Sequence, residues 1–429
     1  MKIFLLLLTL AFALSSKAQN LYFPPISGTN WDTIDPISLG YCQENIDILH
    51  DYLNTTNSKA FIMLKDGKIV FEWYYDDFTK DSLHIWNSAG KTLTAMAVGI
   101  AQQEGYLSLN DTTSHYLGQG WTSLTPQQEE KITIWNQLTM TTGLNHTGDH
   151  FCTDPSCLVY IAEPGTRWMY HNAPYTLLDG VIESATGMNL NAYVNQKIRS
   201  KIGMNGFFFP AGYNNINLSN ARSMARYGLL LLGQGTWNGT AVLNDPTFFQ
   251  EMTNSSQTLN PAYGYLTWLN GKGSFMLPSP DVQLTINEDP LPNAPLDLFA
   301  ALGKDGQIIN IVPSQNVVFI RMGDSDGTSL VGTQYNDTIW QNINQLTCNA
   351  TIQDFENQKI TLSPNPSHNY LHISAENEVV KTEIFNPSGE KIKQMDGNKT
   401  ISIEDLESGF YILKVYFKDS TINLRFIKQ

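Results

Sequence analysis

The chain has 429 residues, of which 42% are hydrophobic and 15% are charged, and its formal net charge is −14. That length and apolar content suffice for a large hydrophobic core and for more than one domain. Nucleic acids and anionic membranes both require a basic patch, so this acidic composition argues against either as a partner.

The amino terminus has the pattern of a secretory signal peptide. Lys2 gives it a positive start, residues 3–14 are almost wholly apolar, and the small residues Ser16 and Ala18 stand where a signal peptidase cuts. We therefore predict a signal peptide over residues 1–18. The apolar run is shorter than the roughly 20 residues of a membrane-spanning helix. No later stretch is long and apolar enough, so we expect no transmembrane segment.

The next part of the chain mixes helices with a β-hairpin. Residues 42–54 are expected to be helical, and an Asp-Gly dipeptide between two β-like runs predicts a hairpin over residues 59–75. Residues 88–105 are rich in Ala and Leu, which predicts a buried helix with Ser88 as its cap. From about residue 130 to residue 255 the pattern is mainly helical.

Strand-like runs then return, followed by a closing helix. The predicted strands are residues 262–269, 298–303, 307–312 and 316–322, and the predicted helix is residues 335–347. This order predicts one α/β (α+β) unit over residues 19–350, in which an antiparallel sheet brings together distant parts of the chain.

The character of the sequence changes after residue 350. A polar linker over residues 351–360 precedes residues 361–429, which alternate in the β manner and predict a small all-β sandwich. This tail resembles the C-terminal sorting domain of type IX secretion. The matching motifs are Ser363-Pro364-Asn365-Pro366, Ile384-Phe385-Asn386 and Leu406-Glu407-Ser408-Gly409-Phe410-Tyr411. The resemblance implies passage across the outer membrane by the type IX machinery; the alternative is an adhesive or carbohydrate-binding sandwich.

The cysteine count is even, which favours disulfides in an exported chain. A Pro turn lies between Cys152 and Cys157, so a small local bridge is expected there, which leaves Cys42 to pair with Cys348. The alternative is a metal site that includes Cys152 and two nearby histidines, His146 and His150. Their spacing matches no recognised ligand pattern, so we expect no metal.

The first candidate for chemistry is Ser88-Ala89-Gly90-Lys91. A serine needs a neighbouring base to become a nucleophile, and a lysine three residues further along a helix lies on the same face. The helix start also offers backbone N–H groups to a developing anion. Ser388-Gly389-Glu390-Lys391 has the same spacing but lies in a turn of the tail. We therefore select Ser88 and Lys91, which open an apolar helix after a hairpin.

Two further motifs follow in order. Each motif occurs several times in the chain. Besides the copies selected below, Tyr-x-Asn begins at Tyr52, Tyr193 and Tyr213, and Lys-x-Gly begins at Lys65 and Lys201. Tyr170-x-Asn172 is selected because it follows a Pro-Gly turn, and Lys304-x-Gly306 because it lies between late strands. Taken singly, these residues could be a core aromatic or a hairpin lysine, just as Ser88 could be only a helix cap.

Together, the three motifs resemble those of class C β-lactamases, related D-alanyl peptidases and β-lactamase-fold esterases. Supporting segments include Leu138-Thr139-Met140-Thr141-Thr142-Gly143-Leu144 and Ala225-Arg226-Tyr227-Gly228-Leu229. The match covers about residues 40–345. It implies a β-lactamase/transpeptidase-like fold, with a helical subdomain beside the antiparallel sheet, and no metal or organic cofactor.

The resemblance also implies roles for individual residues. Ser88 would attack a carbonyl and become acylated, Lys91 would handle its proton, and Tyr170 would relay a proton to the leaving group and later help activate water. Asn172 would hold Lys91 and the substrate amide, and Lys304 would keep the site electropositive.

Two roles concern the segment that contains Gly306. The backbone N–H groups of Ser88 and Gln307 would form the oxyanion hole. Asp305 stands where lactamases and carboxypeptidases usually carry Thr or Ser, and a second anion there would repel a substrate carboxylate.

The sequence thus predicts an exported serine hydrolase, secreted or at the cell surface, that acts on a small-molecule or peptide ester or amide. Asp305 favours a neutral or cationic substrate. The alternatives are a β-lactamase or D-alanyl carboxypeptidase and, in another class, a surface-displayed binding protein with a weak or inactive site.

Overall fold

The structure is a computed structural model that describes residues 21–278, 283–324, 331–348, 360–375, 377–386, 390–418 and 421–429. The chain divides into two compact units, residues 1–348 and 349–429. The predicted signal peptide lies outside the described residues, as does the predicted linker except for Ile360.

The first unit combines helices with antiparallel strands. Its helices are α1 Gln43–Thr55, α2 Lys91–Gln103, α3 Thr113–Leu117, α4 Pro126–Glu129, α5 Ile134–Leu138, α6 Asn172–Thr176, α7 Leu178–Thr186, α8 Leu190–Val194, α9 Ser200–Ile202, α10 Ala221–Leu232, α11 Pro246–Met252 and α12 Thr333–Asn344. Its strands are β1 Ser58–Lys65, β2 Lys68–Tyr74, β3 His84–Ile85, β4 Phe207–Ala211, β5 Asn214–Ser219, β6 Thr236–Trp237, β7 Thr240–Ala241, β8 Trp268–Leu269, β9 Phe275–Met276, β10 Thr285–Ile286, β11 Phe299–Gly303, β12 Gln307–Val312 and β13 Val317–Gly323. Every helix among the described residues is too short or too polar to cross a membrane.

The main sheet joins the two ends of this unit. Its strand order is β2-β1-β13-β12-β11-β8, and each described pairing is antiparallel. β1 pairs with β13 in a register that sets Ile62 opposite Ile320. Both strands are almost wholly buried because helices cover the sheet. The predicted antiparallel sheet with sequence-distant neighbours is confirmed.

Two helices show how the core is closed. α10 packs on β12 and β13, and a Cβ on Gly228 would meet Val318 Cγ1 at 2.6 Å and Ile309 Cγ2 at 2.9 Å. Glycine therefore allows the helix to approach the sheet closely. α2 is buried at each residue from Lys91 to Ala101 and packs against α7. It carries the beginning of the candidate site through the centre of the unit.

Both predicted disulfides are present. Cys42, just before α1, is bonded to Cys348, which follows α12, so the bridge joins residues 306 positions apart. Cys152 is bonded to Cys157 within a surface loop.

Three local predictions were wrong. Ser88 does not cap α2; it lies in a 3₁₀ turn, Asn87–Gly90, that precedes the helix. The segment predicted as mainly helical contains the β4–β5 hairpin. The strand predicted over residues 262–269 is reduced to β8, because Leu266 has a positive φ of 50° and the Gly264 N–H donates to the Thr267 carbonyl. The chain therefore turns back on itself there.

The second unit is all β. Its strands are β14 Thr361–Ser363, β15 Tyr370–Ser374, β16 Lys381–Phe385, β17 Lys391–Asp396, β18 Thr400–Ser402, β19 Gly409–Tyr416 and β20 Thr421–Lys428. They form two antiparallel sheets, of order β14-β15-β18 and β17-β16-β19-β20. Leu371 and Ile401 from one sheet share a core with Ile384 and Leu413 from the other. The predicted all-β fold of the tail is confirmed.

Candidate active site

Ser88 and Lys91 are in direct contact at the start of α2. Lys91 Nζ donates a hydrogen bond of 2.7 Å to Ser88 Oγ. The 3₁₀ turn brings the two side chains together, and Asn87 before the serine has a positive φ of 47°. Asn is one of the few non-glycine residues that adopt this left-handed region readily. The sequence spacing thus produces a serine that already touches an amine.

The environment of Lys91 favours its neutral form. The side chain is only 2% exposed, and burial lowers its pKa well below that of a free lysine. Its ammonium position lies over the rings of Tyr175, at 4.0 Å from the centroid, and Tyr170, at 4.9 Å. Among the described residues no carboxylate forms an ion pair with it. Lys91 can therefore accept a proton more readily than an ordinary lysine.

Tyr170 is held against the same serine. Its hydroxyl lies close to the Ser88 side chain, and its ring stacks on Trp268 with centroids 6.0 Å apart. Burial raises the pKa of the phenol. Tyr170 is therefore a neutral O–H group that can donate a proton but is a poor acceptor of one.

The helix after Tyr170 adds two residues to the site. Asn172 begins α6 and lines the cavity, but within the described part of the chain its side chain forms no hydrogen bond to Lys91. Tyr175 was not predicted as a site residue, although it lies three residues after Asn172, a helical spacing that places both on one face. In this structure the ring of Tyr175 packs against Lys91, and the support of Lys91 by Asn172 stays a prediction.

The third motif forms the turn between β11 and β12. Lys304 lines the cavity with Ser88, and its carbonyl accepts a 2.9 Å hydrogen bond from Asn87 Nδ2. A Cβ on Gly303 would meet the Trp86 carbonyl oxygen at 2.4 Å and the Ala89 nitrogen at 2.9 Å. The end of β11 therefore lies directly against the Ser88 turn.

The remaining residues of that motif do not line the cavity. Gln307 is fully buried, and its side chain bonds both the amide and the carbonyl of Gly323. Gly306 has a φ of 66°, and a Cβ there would meet Arg321 Nη1 at 2.7 Å. The structure thus brings Lys304 into the same cavity as Ser88, and it also places β12, which begins at Gln307, against the Ser88 turn.

Asp305 is a turn residue. Its φ is 62°, its carbonyl accepts a 2.7 Å hydrogen bond from Arg321 Nη1, and its carboxylate is 3.4 Å from Asn87 Nδ2. It touches a residue of the lining without lining the cavity itself. The repulsion between Asp305 and a substrate carboxylate stays a prediction, since the Asp305 carboxylate lies beside the lining residue Asn87.

The cavity has a volume of about 190 Å³ and a basic and aromatic lining. The lining residues are Asn87, Ser88, Lys91, His146, His150, Phe151, Tyr170, Asn172, Tyr175, Asn214, Ile216, Pro278 and Lys304. No aspartate or glutamate is among these described residues, although the chain carries a net charge of −14. The cavity is therefore an exception to the acidic character of the chain.

Two histidines, His146 and His150, line the cavity. Arg167 Nη1 donates to His146 Nδ1 at 3.1 Å, because a guanidinium can only donate. His171 is buried beside them, and burial together with His146 and His150 lowers its pKa to about 3. No group of three histidine, cysteine or acidic side chains in the described part of the chain is arranged to hold a metal ion.

Comparisons with known proteins agree with this geometry. Residues 54–337 match the family described as Beta-lactamase, and residues 361–429 match the Secretion system C-terminal sorting domain. No curated protein sequence matches the chain.

Solved structures with the same fold include three with different assigned activities. A Bacteroides dorei protein assigned as a β-lactamase aligns with a TM-score of 0.57 and 16% identity over 72% of this chain and 99% of that one. A Bacillus anthracis protein assigned as a 6-aminohexanoate-dimer hydrolase aligns with a TM-score of 0.55 and 18% identity over 76% and 88%. A family VIII carboxylesterase aligns with a TM-score of 0.53 and 16% identity over 72% and 99%. At such identities the likeness shows the fold alone.

Proposed function

Because the chain belongs to the β-lactamase family and carries a type IX sorting domain, we propose that it is an exported serine hydrolase. It cleaves an ester or an amide through an acyl-enzyme on Ser88. The observation that supports this most directly is the 2.7 Å contact between Ser88 Oγ and the buried amine of Lys91. Entry into the periplasm by the predicted signal peptide and exit by the tail are parts of the same proposal, as are the predicted domain bounds 19–350 and 361–429.

Acylation follows from the protonation states of the three central groups. Lys91 Nζ, whose pKa is lowered by burial, accepts the Ser88 proton while Oγ attacks the substrate carbonyl carbon. The neutral Tyr170 hydroxyl then donates a proton to the departing oxygen or nitrogen and is reprotonated from Lys91. Each group ends the step in its starting protonation state, and Ser88 carries the acyl group.

The oxyanion hole needs two backbone donors near Ser88. The Ser88 N–H is one of them. For the other we keep the N–H of Gln307, because β12, which begins at Gln307, packs against the Ser88 turn. Such a donor contributes about 2.7–4 kcal/mol to transition-state stabilisation in enzymes of this kind.

The charge of the lining bears on the substrate. With Lys304 exposed in the cavity and no carboxylate among the described lining residues, a neutral or anionic substrate is favoured over a cationic one. This revises the expectation drawn from Asp305. It also keeps β-lactams and free-carboxylate peptides as a second candidate substrate class. A role in binding alone is disfavoured by the close contact of Ser88 with both Lys91 and Tyr170.

The decisive test is Ser88→Ala in the full-length protein. Turnover of p-nitrophenyl esters, peptide amides and nitrocefin should fall to background, and labelling by a fluorophosphonate or penicillin-type probe should disappear. Circular dichroism should be unchanged, because Ser88 is only partly buried in a turn. As a matched control, Ser388→Ala alters the serine with the same lysine spacing in the tail and should leave labelling intact. Labelling that survives Ser88→Ala would disprove the assignment.

A further inference from the structure

His150 presents an imidazole to the same cavity as Ser88 and Lys91. Its backbone is fixed to the helix that carries Asn172, because the Ala173 N–H donates to the His150 carbonyl at 3.0 Å. The disulfide at Cys152 closes the loop two residues later. The ring is further confined by Phe151, with ring centroids 4.2 Å apart. The imidazole is therefore placed in the cavity by covalent and backbone constraints.

The ring nitrogens of His150 distinguish it from its neighbours. Within the described residues neither nitrogen has a hydrogen-bond partner, whereas His146 Nδ1 accepts from Arg167 and His171 is buried outside the lining. His150 is half-buried, so a water molecule in the cavity can reach its ring. Of these three histidines, it is the one free to exchange a proton with a group in the cavity.

Burial keeps His150 neutral at pH 7. Burial lowers its pKa below the usual value, Lys91 acts in the same direction, and Asp149 opposes them. His146 and His171 are the other titratable groups near it. A neutral imidazole is a competent proton acceptor.

We propose that His150 is the general base that activates water for hydrolysis of the Ser88 acyl-enzyme. The inference rests on the proposed function, and it assigns the second half of the reaction to a residue outside the three motifs. A ring nitrogen of His150 takes one proton from water as the water oxygen bonds to the acyl carbon. The tetrahedral adduct collapses, the bond between the acyl carbon and Ser88 Oγ breaks, and the carboxylic acid leaves. The proton on His150 returns to Ser88 Oγ through Lys91, which hydrogen bonds to that oxygen, and Tyr170, whose hydroxyl lies close to it.

The two residues nearest Ser88 are less suited to this step. Tyr170 holds its proton because burial raises its pKa. Lys91 Nζ lies 2.7 Å from Oγ, where it is placed to deliver a proton to the leaving serine. A separate acceptor further along the cavity divides the roles: His150 removes the water proton and Lys91 protonates Oγ.

The test is single-turnover kinetics of His150→Gln in the full chain, with p-nitrophenyl acetate as the probe. The rate of the p-nitrophenolate burst, which reports acylation, should stay within about threefold of wild type. The deacetylation rate of the isolated acyl-enzyme, followed by intact-protein mass, should fall about 10²-fold or more, as is typical when a general base is removed. The exposed His115 provides the matched control, and His115→Gln should change neither rate.

Chemical rescue separates a proton-transfer role from a packing role. In His150→Ala, added imidazole should restore part of the deacetylation rate without changing the burst. The acid limb of the deacetylation profile should also disappear in His150→Gln. Normal deacetylation in His150→Gln, or parallel losses in both phases without rescue, would overturn the inference. Absence of an acetyl group on Ser88 in wild type would instead refute the proposed function.

Discussion

The cavity has two regions that use similar residues in opposite environments. We call Ser88, Lys91, Tyr170 and Tyr175 the floor, and His150, Phe151 and Lys304 the rim. Lys91 in the floor is 2% exposed and sits between aromatic rings, whereas Lys304 in the rim is exposed. The same amine is thus a candidate base in one region and a fixed cation in the other. Desolvation, more than residue identity, decides which chemistry a lysine supplies.

The difference extends to how each region is built. The floor comes from a turn at the start of α2 and from the short helix α6, both inside the core. The rim comes from a disulfide-bonded loop and from the turn between β11 and β12. We therefore expect substitutions in the floor to affect the chemical steps and those in the rim to affect substrate choice and deacylation.

Loss of the floor amine should have the largest effect. Lys91→Ala should lower kcat/KM by about 10³-fold or more, because Ser88 loses the base that touches it and residues acting as a unit are grossly non-additive. The double variant with Ser88→Ala should be no worse than Ser88→Ala alone. Steady-state kinetics measure both, and a loss below about tenfold in Lys91→Ala would place the base elsewhere.

The pH profile sharpens the same prediction. The acid limb of kcat/KM should reflect protonation of Lys91 and should lie far below the pKa of a free lysine, since burial disfavours its charged form. Activity should therefore persist well below the pKa of a free lysine and fall as the pH drops further.

Replacing Tyr170 tests whether its hydroxyl is the proton donor of the floor. Tyr170→Phe should lower kcat by about 10²-fold, because the ring packing on Trp268 is kept and only the proton donor is lost. The loss should be greater for amides than for p-nitrophenyl esters, whose leaving group needs no proton. Equal losses for both substrates would argue that the hydroxyl only orients Ser88.

The sequence predicted the floor better than the rim. Ser88 and Lys91 are three residues apart, so local geometry alone brings them together. His150 and Phe151 come from a loop whose approach to the cavity depends on tertiary contacts that no local pattern encodes. Asp305-Gly306 carried the same turn signal as Asp66-Gly67, and the structure forms a turn at both places.

The fold, too, was predicted best where the local sequence determines the structure. The hairpin β1–β2 and the tail strands were predicted from alternation, but the turn at Leu266 within a β-like run was not. Gln307 lies opposite Gly303, whose backbone packs against the Ser88 turn, and its role in the oxyanion hole stays a prediction.

Asp179 is a buried carboxyl group near Tyr175, and its burial should make the free energy of unfolding depend on pH. Asp179 accepts a 3.0 Å hydrogen bond from Asn215 on one oxygen, and the other oxygen has no partner among the described residues. Burial raises its pKa to about 7, despite the bond from Asn215 and with a smaller contribution from Glu183. The folded state therefore holds a proton that the unfolded state releases near pH 4.

The direction in which pH changes the free energy of unfolding follows from this difference in pKa. Asp179 favours folding below pH 4, and its contribution is lost as pH rises through about 7. Relative to wild type, Asp179→Asn should gain on the order of 2–3 kcal/mol in unfolding free energy between pH 5 and pH 8. Urea unfolding at several pH values measures the change, and a pH-independent difference would contradict it. Burying the new amide changes the free energy of unfolding by an amount that does not depend on pH. That amount therefore cancels when two pH values are compared.

The smallest effects should come from the rim, and they separate Lys304 from its neighbour Asp305. Lys304 lines the cavity and is exposed, whereas the Asp305 carboxylate lies against Asn87 outside the lining. Lys304→Ala should lower kcat/KM for an anionic ester by about tenfold relative to a neutral ester, because about 1.4 kcal/mol of attraction corresponds to a factor of ten. Asp305→Asn keeps the turn geometry, since Asn tolerates a φ of 62°, and should change that ratio by less than about twofold. Two matched esters that differ only in a carboxylate suffice to measure both ratios. A large gain for the anionic ester in Asp305→Asn would show that Asp305 opposes substrate anions despite its position, and would return the substrate preference to neutral or cationic groups.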